Sequence, residues 1–269
     1  MVTFPNAKIN LGLHITEKRA DGYHNIESVF VPVPINDALE ITKNKTNKTN
    51  FSSAGIKIPS DGKPNLVERA FSIVQSKYQI PNVDIELLKK IPIGAGLGGG
   101  SADAAACILS FNKLFDLQLS EKELLSLAGQ LGADCAFFIK NKIMYVEGIG
   151  DRFTDLELDL SKYHFVVVYP NIHVSTAEAY KHVSPKTPSN NIRDILAKPI
   201  ETWKHELKND FENSVFKQHP KIEKVKQHLY ESGAIYASMS GSGSTVFGIF
   251  KNVPEADFES LGKNWNFSL

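Results

Sequence analysis

The N-terminal residues alternate between hydrophobic and polar positions. A period of two residues predicts a β-strand over residues 7–16, AKINLGLHIT. The turn sequence RADG follows at residues 19–22, and strand-like residues resume in YHNIESVFVPV. We therefore expect a β-hairpin whose first strand is half-buried and has an unusual polar side. Its apolar face carries Ile9, Leu11, Leu13 and Ile15, and its polar face carries Lys8, Asn10, Gly12 and His14.

Helical and strand-like spacing then alternate along the chain. Helices are predicted at 65–78 and 120–132, the second with Ser120 and Glu123 spaced as a capping box. A strand is predicted at 83–92 and ends at Pro92. Strands are also predicted at 142–150 and 162–170, and helical patterns around 192–207 and 210–232. Residues 234–250 predict a strand, a Gly/Ser loop and a second strand. The pattern indicates an α+β protein, with a domain boundary expected between residues 155 and 156, giving domains 1–155 and 156–269.

Residues 91–110, IPIGAGLGGGSADAAACILS, place five glycines between positions 94 and 100, directly before an alanine-rich helical pattern. Glycine allows positive φ and lets backbone N–H groups converge on an ion. Ser101 is expected to be the N-cap of the helix, whose N-terminus presents free N–H groups and a partial positive charge. The segment therefore predicts a phosphate cradle, with a tightly packed glycine turn as the alternative. No lysine follows the glycines as in a P-loop, and the preceding strand is alternating and ends at a proline, unlike the N-terminal buried parallel strand of a dinucleotide fold.

Composition narrows the function classes. The 269 residues are 42% hydrophobic and carry 30 basic and 30 acidic residues, so nothing indicates a nucleic-acid partner. The two cysteines argue against a disulfide framework and favour a reducing, cytoplasmic location. No apolar run reaches transmembrane length, and no signal peptide or zinc-ligand spacing is evident. A small-molecule partner is therefore expected, without nucleic acid or membrane.

Six stretches resemble a known family. PIGAGLGGGSADAAA resembles the phosphate-binding motif of the GHMP kinases, named for galactose, homoserine, mevalonate and phosphomevalonate. The isoprenoid-pathway branch of that family is matched in order by PNAKINLGLHIT, RADGYHNIESVF, LGADCAFFIKNKIMYVEGIGD, NDFE at 209–212 and MSGSGSTVFGIF at 239–250. The resemblance implies an N-terminal ATP-binding domain like ribosomal protein S5 domain 2 and a ferredoxin-like C-terminal domain. It also implies an active site in the cleft between them.

The same resemblance implies the reaction and its catalytic pair. The γ-phosphate of ATP, with Mg²⁺, is expected to move to the 2-hydroxyl of 4-(cytidine 5'-diphospho)-2-C-methyl-D-erythritol. Asp134 would accept or orient the hydroxyl proton, and Lys8 would supply positive charge. Ordinary helix capping is the alternative for Asp134, and a lysine reaching from a strand to solvent is the alternative for Lys8.

The remaining site residues follow from matching positions. Tyr23 would stack on cytosine and His24 would bond its edge, unless the two only pack locally. Asp103 fits either an acid that stabilises the first helical turn or one near Mg²⁺. Acceptor contacts are also expected from Asn10, Thr176, Tyr180, Gly241, Ser242 and Gly243. ATP contacts are expected from Asn65, Leu66, Lys89, Pro92, Ile93, Gly94, Ala95, Gly96, Leu97, Gly98, Gly99, Gly100, Ser101 and Ala102.

Two other functions stay open at this point. One is a GHMP kinase for another small alcohol, such as homoserine or mevalonate. The other is a nucleotide-binding regulator that kept the fold without the chemistry. Tyr23 and His24 favour a cytidine-bearing acceptor, and Lys8 with Asp134 favours catalysis. The neutral net charge and the family resemblance favour a monomer or a weak homodimer.

Overall fold

The computed structural model describes residues 1–59, 62–188 and 190–269, which fold into two units. The first unit contains Met1–Ala7, Ile35–Ile93 and Gly98–Lys142. The second contains Lys8–Pro34, Gly94–Leu97 and Ile143–Leu269. Both combine helices with sheets, which confirms the α+β class. The expected boundary after residue 155 stays a prediction.

The helices and strands of the described residues are as follows. The strands are β1 Val2–Thr3, β2 Asn6–Lys18, β3 His24–Asn36, β4 Ala38–Lys43, β5 Asn50–Gly55, β6 Val83–Lys89, β7 Met144–Gly148, β8 Arg152–Asp155, β9 His164–Tyr169, β10 Tyr236–Met239, β11 Val246–Phe250 and β12 Lys263–Ser268. The helices are α1 Leu66–Tyr78, α2 Gly99–Leu114, α3 Glu121–Gly129, α4 Ala133–Lys140, α5 Thr176–Lys181, α6 Ile192–Leu196, α7 Ile200–Glu206, α8 Glu212–Gln218 and α9 Pro220–Glu231, with a 3₁₀ turn at Glu259–Leu261.

The first unit packs helices on a four-stranded sheet of order β1-β4-β6-β5. Strands β4 and β6 are antiparallel, with Leu39 opposite Leu87, whereas β5 and β6 are parallel. Every second residue of β6 is buried, as the alternating sequence predicts. Helices α1 and α3 begin at the capping boxes of Asn65 and Ser120, and the second of these confirms the predicted box.

The second unit contains two further four-stranded sheets, of order β2-β3-β7-β8 and β10-β11-β9-β12. The inner strand β9 is flanked by β11 and β12, and Val166 and Val168 are buried in the core of the unit. That core also holds Val215 of α8 and Ile222 of α9. Strands β10 and β11 are the two strands predicted on either side of the Gly/Ser loop, and they pair antiparallel. Residues 183–191, VSPKTPSNN, are rich in proline and serine, which predicts a loop, and Ser189 among them lies outside the described residues.

One expectation about these elements is wrong, and another is refined. Strand β2 is buried on both faces from Ala7 to Ile15 rather than half-buried, because polar side chains of its second face, Lys8 and Asn10, find hydrogen-bond partners inside the protein. The helical patterns around 192–207 and 210–232 are each divided into two helices. Pro199 precedes α7 and Pro220 opens α9, and proline cannot continue a preceding helix. No helix in the described ranges is both long and apolar enough to cross a membrane.

Candidate active site

The first half of the glycine-rich segment belongs to the second unit and rests on the loop between β10 and β11. Gly94 and Gly96 have φ values of +65° and +79°, which favour glycine. A Cβ at Gly96 would overlap the carbonyl oxygen of Ser240. The Ser240 hydroxyl donates to the Gly96 carbonyl at 2.8 Å, and the Thr245 N–H donates to the Ala95 carbonyl at 3.2 Å. The two glycine loops therefore support each other through their backbones.

The second half of the segment starts helix α2 in the first unit. Gly98 is the N-cap, with φ +69° and no side-chain cap, so the prediction that Ser101 is the N-cap is wrong. The left-handed conformation of Gly98 lets the helix begin at Gly99, so Ser101 lies within the first helical turn. The N–H groups of the first helical turn have no intrahelical acceptors, and such groups are suited to bind an anion. Leu66 lies near this turn, with its Cδ1 3.7 Å from where a Cβ on Gly100 would be.

A buried ionic cluster joins the two ends of this segment within the first unit. Lys89 is 3% exposed, and its Nζ donates to the carboxylates of Asp37 and Asp103, the latter at 2.9 Å. The other Asp37 oxygen accepts the N–H groups of Lys90 and Ile91. A Cβ on Gly99 would lie 2.9 Å from Lys89 Nζ and 2.7 Å from a methyl of Ile91. Gly99 is therefore required by close packing over the cluster.

The electrostatics of this cluster concern Asp103 most. Burial raises the pKa of Asp103 to about 7, against the lowering effect of Lys89, while the neighbouring Asp37 raises it further. Asp103 lies beyond the first turn of α2, which contains no acid, so the first-turn role is wrong. Its Oδ2 is bonded to Lys89, and its Oδ1 is buried without a hydrogen-bond partner.

A second buried lysine lies on β2 in the second unit. Lys8 is 4% exposed, and its Nζ donates to Asn10 Oδ1 at 2.6 Å and lies 4.5 Å from the centre of the Phe30 ring. The Lys8 N–H donates to the Leu97 carbonyl at 3.0 Å, which joins this strand to the glycine segment. The amide of Asn10 donates to Ser28 Oγ at 3.0 Å. Lys8 is therefore oriented by Asn10, which is itself fixed by a hydrogen bond.

Asp134 lies in the first turn of α4 in the first unit and is partly exposed. Gly132 is the N-cap of this helix, so Asp134 is not the cap itself. A carboxylate in the first turn is stabilised by the helix dipole. Burial raises the pKa of the adjacent Cys135 thiol to about 11, which keeps that side chain neutral.

The aromatic residues expected to bind cytosine lie on the second unit. Tyr23 follows the β2–β3 turn and is 62% exposed, and its N–H donates to Asp21. The His24 ring stacks on Tyr180, with ring centres 4.8 Å apart and planes at 20°. Tyr180 also meets Phe211 edge to face at 4.8 Å. Burial and the nearby charge of Lys18 lower the pKa of His24, which favours a neutral ring with one donor and one acceptor.

The structure brings further predicted acceptor residues together in this unit. The hydroxyls of Thr176 and Ser242 are 2.9 Å apart. A Cβ on Gly241 would lie 3.5 Å from Asn10 Oδ1. Gly241 and Gly243 have φ values of +55° and +90°, so the loop depends on glycine at both positions. The second glycine loop therefore lies close to two predicted acceptor residues outside it, Asn10 near Gly241 and Thr176 at Ser242.

Comparison with known proteins identifies the family. Residues 65–142 match the GHMP kinases N terminal domain, and residues 191–266 match the GHMP kinases C terminal domain, together more than half of the chain. The chain belongs to the GHMP kinase family. It is 50% identical over 265 residues to the 4-diphosphocytidyl-2-C-methyl-D-erythritol kinase of Bacteroides fragilis, with 97% of each chain covered.

Solved structures of GHMP kinases agree with this placement. The crystal structure of a 4-(cytidine 5'-diphospho)-2C-methyl-D-erythritol kinase is 30% identical, with a TM-score of 0.82 over 99% of this chain and 98% of that one. The homoserine kinase of Cytophaga hutchinsonii is 17% identical, with a TM-score of 0.70 over 98% of this chain and 94% of that one, which shows the fold alone. Membership of the GHMP kinase family makes the protein an ATP-dependent kinase that acts on a small molecule.

Three residues that fix the two glycine loops, each within its own unit, have little signal in the sequence. Asp37 lies between two strands, and no motif marks its contacts with Lys89 and Ile91. Ser240 was expected only as part of a glycine loop, although its hydroxyl bonds Gly96. Asn209 lies in the quoted NDFE stretch, which was the only signal for it.

Proposed function

We propose that the protein transfers the γ-phosphoryl group of ATP to the 2-hydroxyl of 4-(cytidine 5'-diphospho)-2-C-methyl-D-erythritol. The observation that carries the proposal is the 50% identity to a relative of that name, across 97% of both chains. The product is the 2-phosphate, with release of ADP. This reaction belongs to the non-mevalonate route to isoprenoid precursors.

The glycine-rich segment is proposed to hold the triphosphate. Its positive-φ glycines and the first turn of α2 offer backbone N–H groups without attached side chains, which suit phosphate oxygens. Leu66, near Gly100, supports a nucleotide pocket formed by Asn65, Leu66 and the segment from Pro92 to Ala102. The expectation that Lys89 contacts ATP stays a prediction.

Lys8 and Asp134 are proposed to act on the transferring group. Phosphoryl transfer needs an aligned hydroxyl, an acceptor for its proton and positive charge near the phosphoryl oxygens. The Asp134 carboxylate, in the first turn of α4, is suited to accept or orient the proton. Asn10 holds the Lys8 ammonium group in one orientation, which suits electrostatic stabilisation of developing charge.

Cytidine recognition is proposed for Tyr23, His24 and Tyr180. A neutral His24 ring presents a donor and an acceptor, which matches the mixed edge of cytosine. Tyr23 offers an exposed ring for stacking. Thr176, Ser242 and the glycines Gly241 and Gly243 are proposed to contact the polar part of the acceptor, since Thr176 and Ser242 already bond each other.

Mg²⁺ is proposed to accompany ATP. It prefers oxygen ligands, keeps several waters and usually takes only one or two protein ligands besides phosphates. Ser101, a partly exposed residue in the first turn of α2, carries a hydroxyl that fits that modest demand. Asp103 fits it poorly, because its carboxylate is buried and bonded to Lys89. When bound, the cation would neutralise phosphate charge.

A panel of acceptors tests the proposal. ADP release is measured with 4-(cytidine 5'-diphospho)-2-C-methyl-D-erythritol, with 2-C-methyl-D-erythritol 4-phosphate, with homoserine and with mevalonate. We expect turnover with the first compound alone, and ³¹P NMR should show the new phosphate on the 2-hydroxyl. Turnover with homoserine or mevalonate instead would assign the protein to another branch of the family. ATP binding without turnover on any acceptor would indicate a regulator.

A further inference from the structure

The NDFE motif at residues 209–212 is not among the residues proposed to contact ATP or the acceptor. Asn209 is 3% exposed and lies behind the second glycine loop in the second unit. Its amide nitrogen donates to the carbonyls of Met239 at 2.7 Å and Gly241 at 2.8 Å. Its Oδ1 accepts the Phe211 N–H at 3.0 Å. Both amide donors of Asn209 are therefore used to fix the residues on either side of Ser240.

The same segment also holds strand β2. The Leu13 N–H donates to the Lys208 carbonyl at 2.9 Å, and the Asp210 N–H donates to the Leu13 carbonyl at 2.8 Å. The Asp210 carboxylate accepts the Ile15 N–H at 2.8 Å. Strand β2 carries Lys8 and Asn10, so one short segment bonds both this strand and the second glycine loop.

Ser240 links these two elements to the nucleotide segment. Its hydroxyl donates to the Gly96 carbonyl at 2.8 Å and accepts the Asn10 N–H at 3.3 Å. Asn209 bonds the carbonyl before Ser240 and the carbonyl after it. A shift of that loop would therefore move the contact that sets Gly96 against Asn10.

We propose that Asn209 is a positioning residue for phosphoryl transfer. It fixes the second glycine loop so that Ser240 sets the spacing between Gly96, in the nucleotide segment, and Asn10, which orients Lys8. The inference rests on the proposed function, since it assigns Asn209 to the alignment of that reaction. Alignment has a large effect on rate, and a misplacement of about 1 Å costs roughly a hundredfold.

A purely structural role is the rival explanation, because a buried asparagine with three hydrogen bonds stabilises any fold. The two explanations differ in what they change. A structural role lowers the stability of the unit and leaves the rate of the folded protein intact. A positioning role lowers kcat in protein that is fully folded, and it loosens the two glycine loops more than the sheets around them.

The test uses Asn209→Asp, which keeps the shape but replaces the donating amide by a carboxylate facing two carbonyl oxygens. At a temperature well below unfolding, we expect kcat to fall by about tenfold to a hundredfold. The KM for the cytidine-bearing acceptor should rise by a smaller factor than kcat falls, because the bonds of Asn209 fix the loop that carries Ser242 and do not reach Tyr23, His24 or Tyr180. Hydrogen exchange should accelerate at residues 94–97 and 239–245.

Two matched controls separate chemistry from stability. Asn264→Asp makes the same change in an amide that donates to the Gly262 carbonyl, away from the glycine loops on β12. Ile222→Val removes a buried methylene from the core of the same unit. Both variants should keep the wild-type kcat. Ser240→Ala is the second test variant and takes the place of Asn209→Asp if that variant does not fold. It should also lower kcat.

The outcomes are distinct. A wild-type kcat with unchanged loop exchange in Asn209→Asp, or in Ser240→Ala if the former does not fold, would overturn the inference. If the wild-type protein does not turn over the cytidine-bearing acceptor, the proposed function fails. Hydrogen exchange then decides the positioning claim by itself: faster exchange confined to 94–97 and 239–245 supports it, and a uniform change across the unit refutes it.

Discussion

Lys8 and Lys89 are almost equally buried, and each is oriented by neighbours in its own unit. Lys89 donates to the carboxylates of Asp37 and Asp103 in the first unit. Lys8, in the second unit, donates to the neutral amide oxygen of Asn10 and lies against the ring of Phe30. Lys89 lies just before the glycine-rich segment in the sequence. Lys8 contacts that segment through its N–H, which donates to the Leu97 carbonyl.

The difference shows how a buried charge is used. A buried ion cluster is weak evidence for net stability, but breaking it leaves charges uncompensated and is strongly destabilising. The Lys89 cluster therefore fixes the ends of the glycine segment. The Lys8 ammonium is held by an oriented amide, an arrangement that suits a group placed to meet phosphoryl charge. Substitution of Lys8 should therefore chiefly affect turnover, whereas substitution of Lys89 should chiefly affect the free energy of unfolding.

The largest effect is expected from Lys8→Met. Loss of the charge should lower kcat by about a hundredfold to ten-thousandfold, while the affinity for ATP changes little because the glycine segment is intact. Turnover is measured by ADP release and ATP affinity by calorimetry. Lys18→Met, at the exposed end of the same strand, is the control. Equal turnover in the two variants would remove Lys8 from the mechanism.

Lys89→Met should chiefly affect stability. It leaves Asp37 and Asp103 buried together, and we expect the free energy of unfolding to fall by about 3–5 kcal/mol. Denaturant unfolding measures the loss, with the exposed neighbour Lys90→Met as control. If both variants unfold at the same denaturant concentration, the cluster does not hold the segment.

Asp103→Asn should change how stability depends on pH. The native pKa of about 7 lies above the unfolded value of about 3.9, so the folded protein keeps a proton that the unfolded chain releases. The contribution of Asp103 to stability is complete below about pH 4 and is lost as the pH rises through 7. The variant should exceed the free energy of unfolding of the wild type by about 1–2 kcal/mol at pH 5 and by about 4 kcal/mol at pH 8, because each pH unit between the two pKa values adds about 1.4 kcal/mol. A constant difference from pH 5 to pH 8 would contradict this assignment.

The smallest effect is expected from Tyr23→Ala, outside both clusters. Losing one stacking surface should raise the KM for the cytidine-bearing acceptor by roughly fivefold, or about 1 kcal/mol, without changing the KM for ATP. Phe4→Ala, which removes an aromatic ring that is 66% exposed in the first unit, is the control. An unchanged acceptor KM in Tyr23→Ala would exclude Tyr23 from recognition.

Local patterns predicted the local structure well. The hairpin of β10 and β11, the capping box of α3 and the helix after the glycines all depend on residues close in sequence, where spacing and caps act directly. Ser101 is not the N-cap, because Gly98 adopts a left-handed conformation and the helix already begins at Gly99.

Non-local pairings were not predictable from one sequence. The parallel pairing of β5 with β6 has no pattern of its own, since most of β5 is exposed. The buried polar face of β2 depends on Ser28 and Ser240, which are distant in sequence. The family resemblance indicates Lys8 and Asp134 as candidate catalytic residues, but it gives none of the hydrogen bonds that orient Lys8 in the structure.

The most direct test of the account is a double-mutant cycle between Lys8 and Asp134. Values of kcat/KM are measured for Lys8→Met, for Asp134→Asn and for the double variant with the cytidine-bearing acceptor. Because both groups are proposed to act on one phosphoryl transfer, the double variant should be only slightly slower than the slower single variant. Losses that simply multiply, or near-normal turnover in Asp134→Asn, would contradict a joint catalytic role for these two residues.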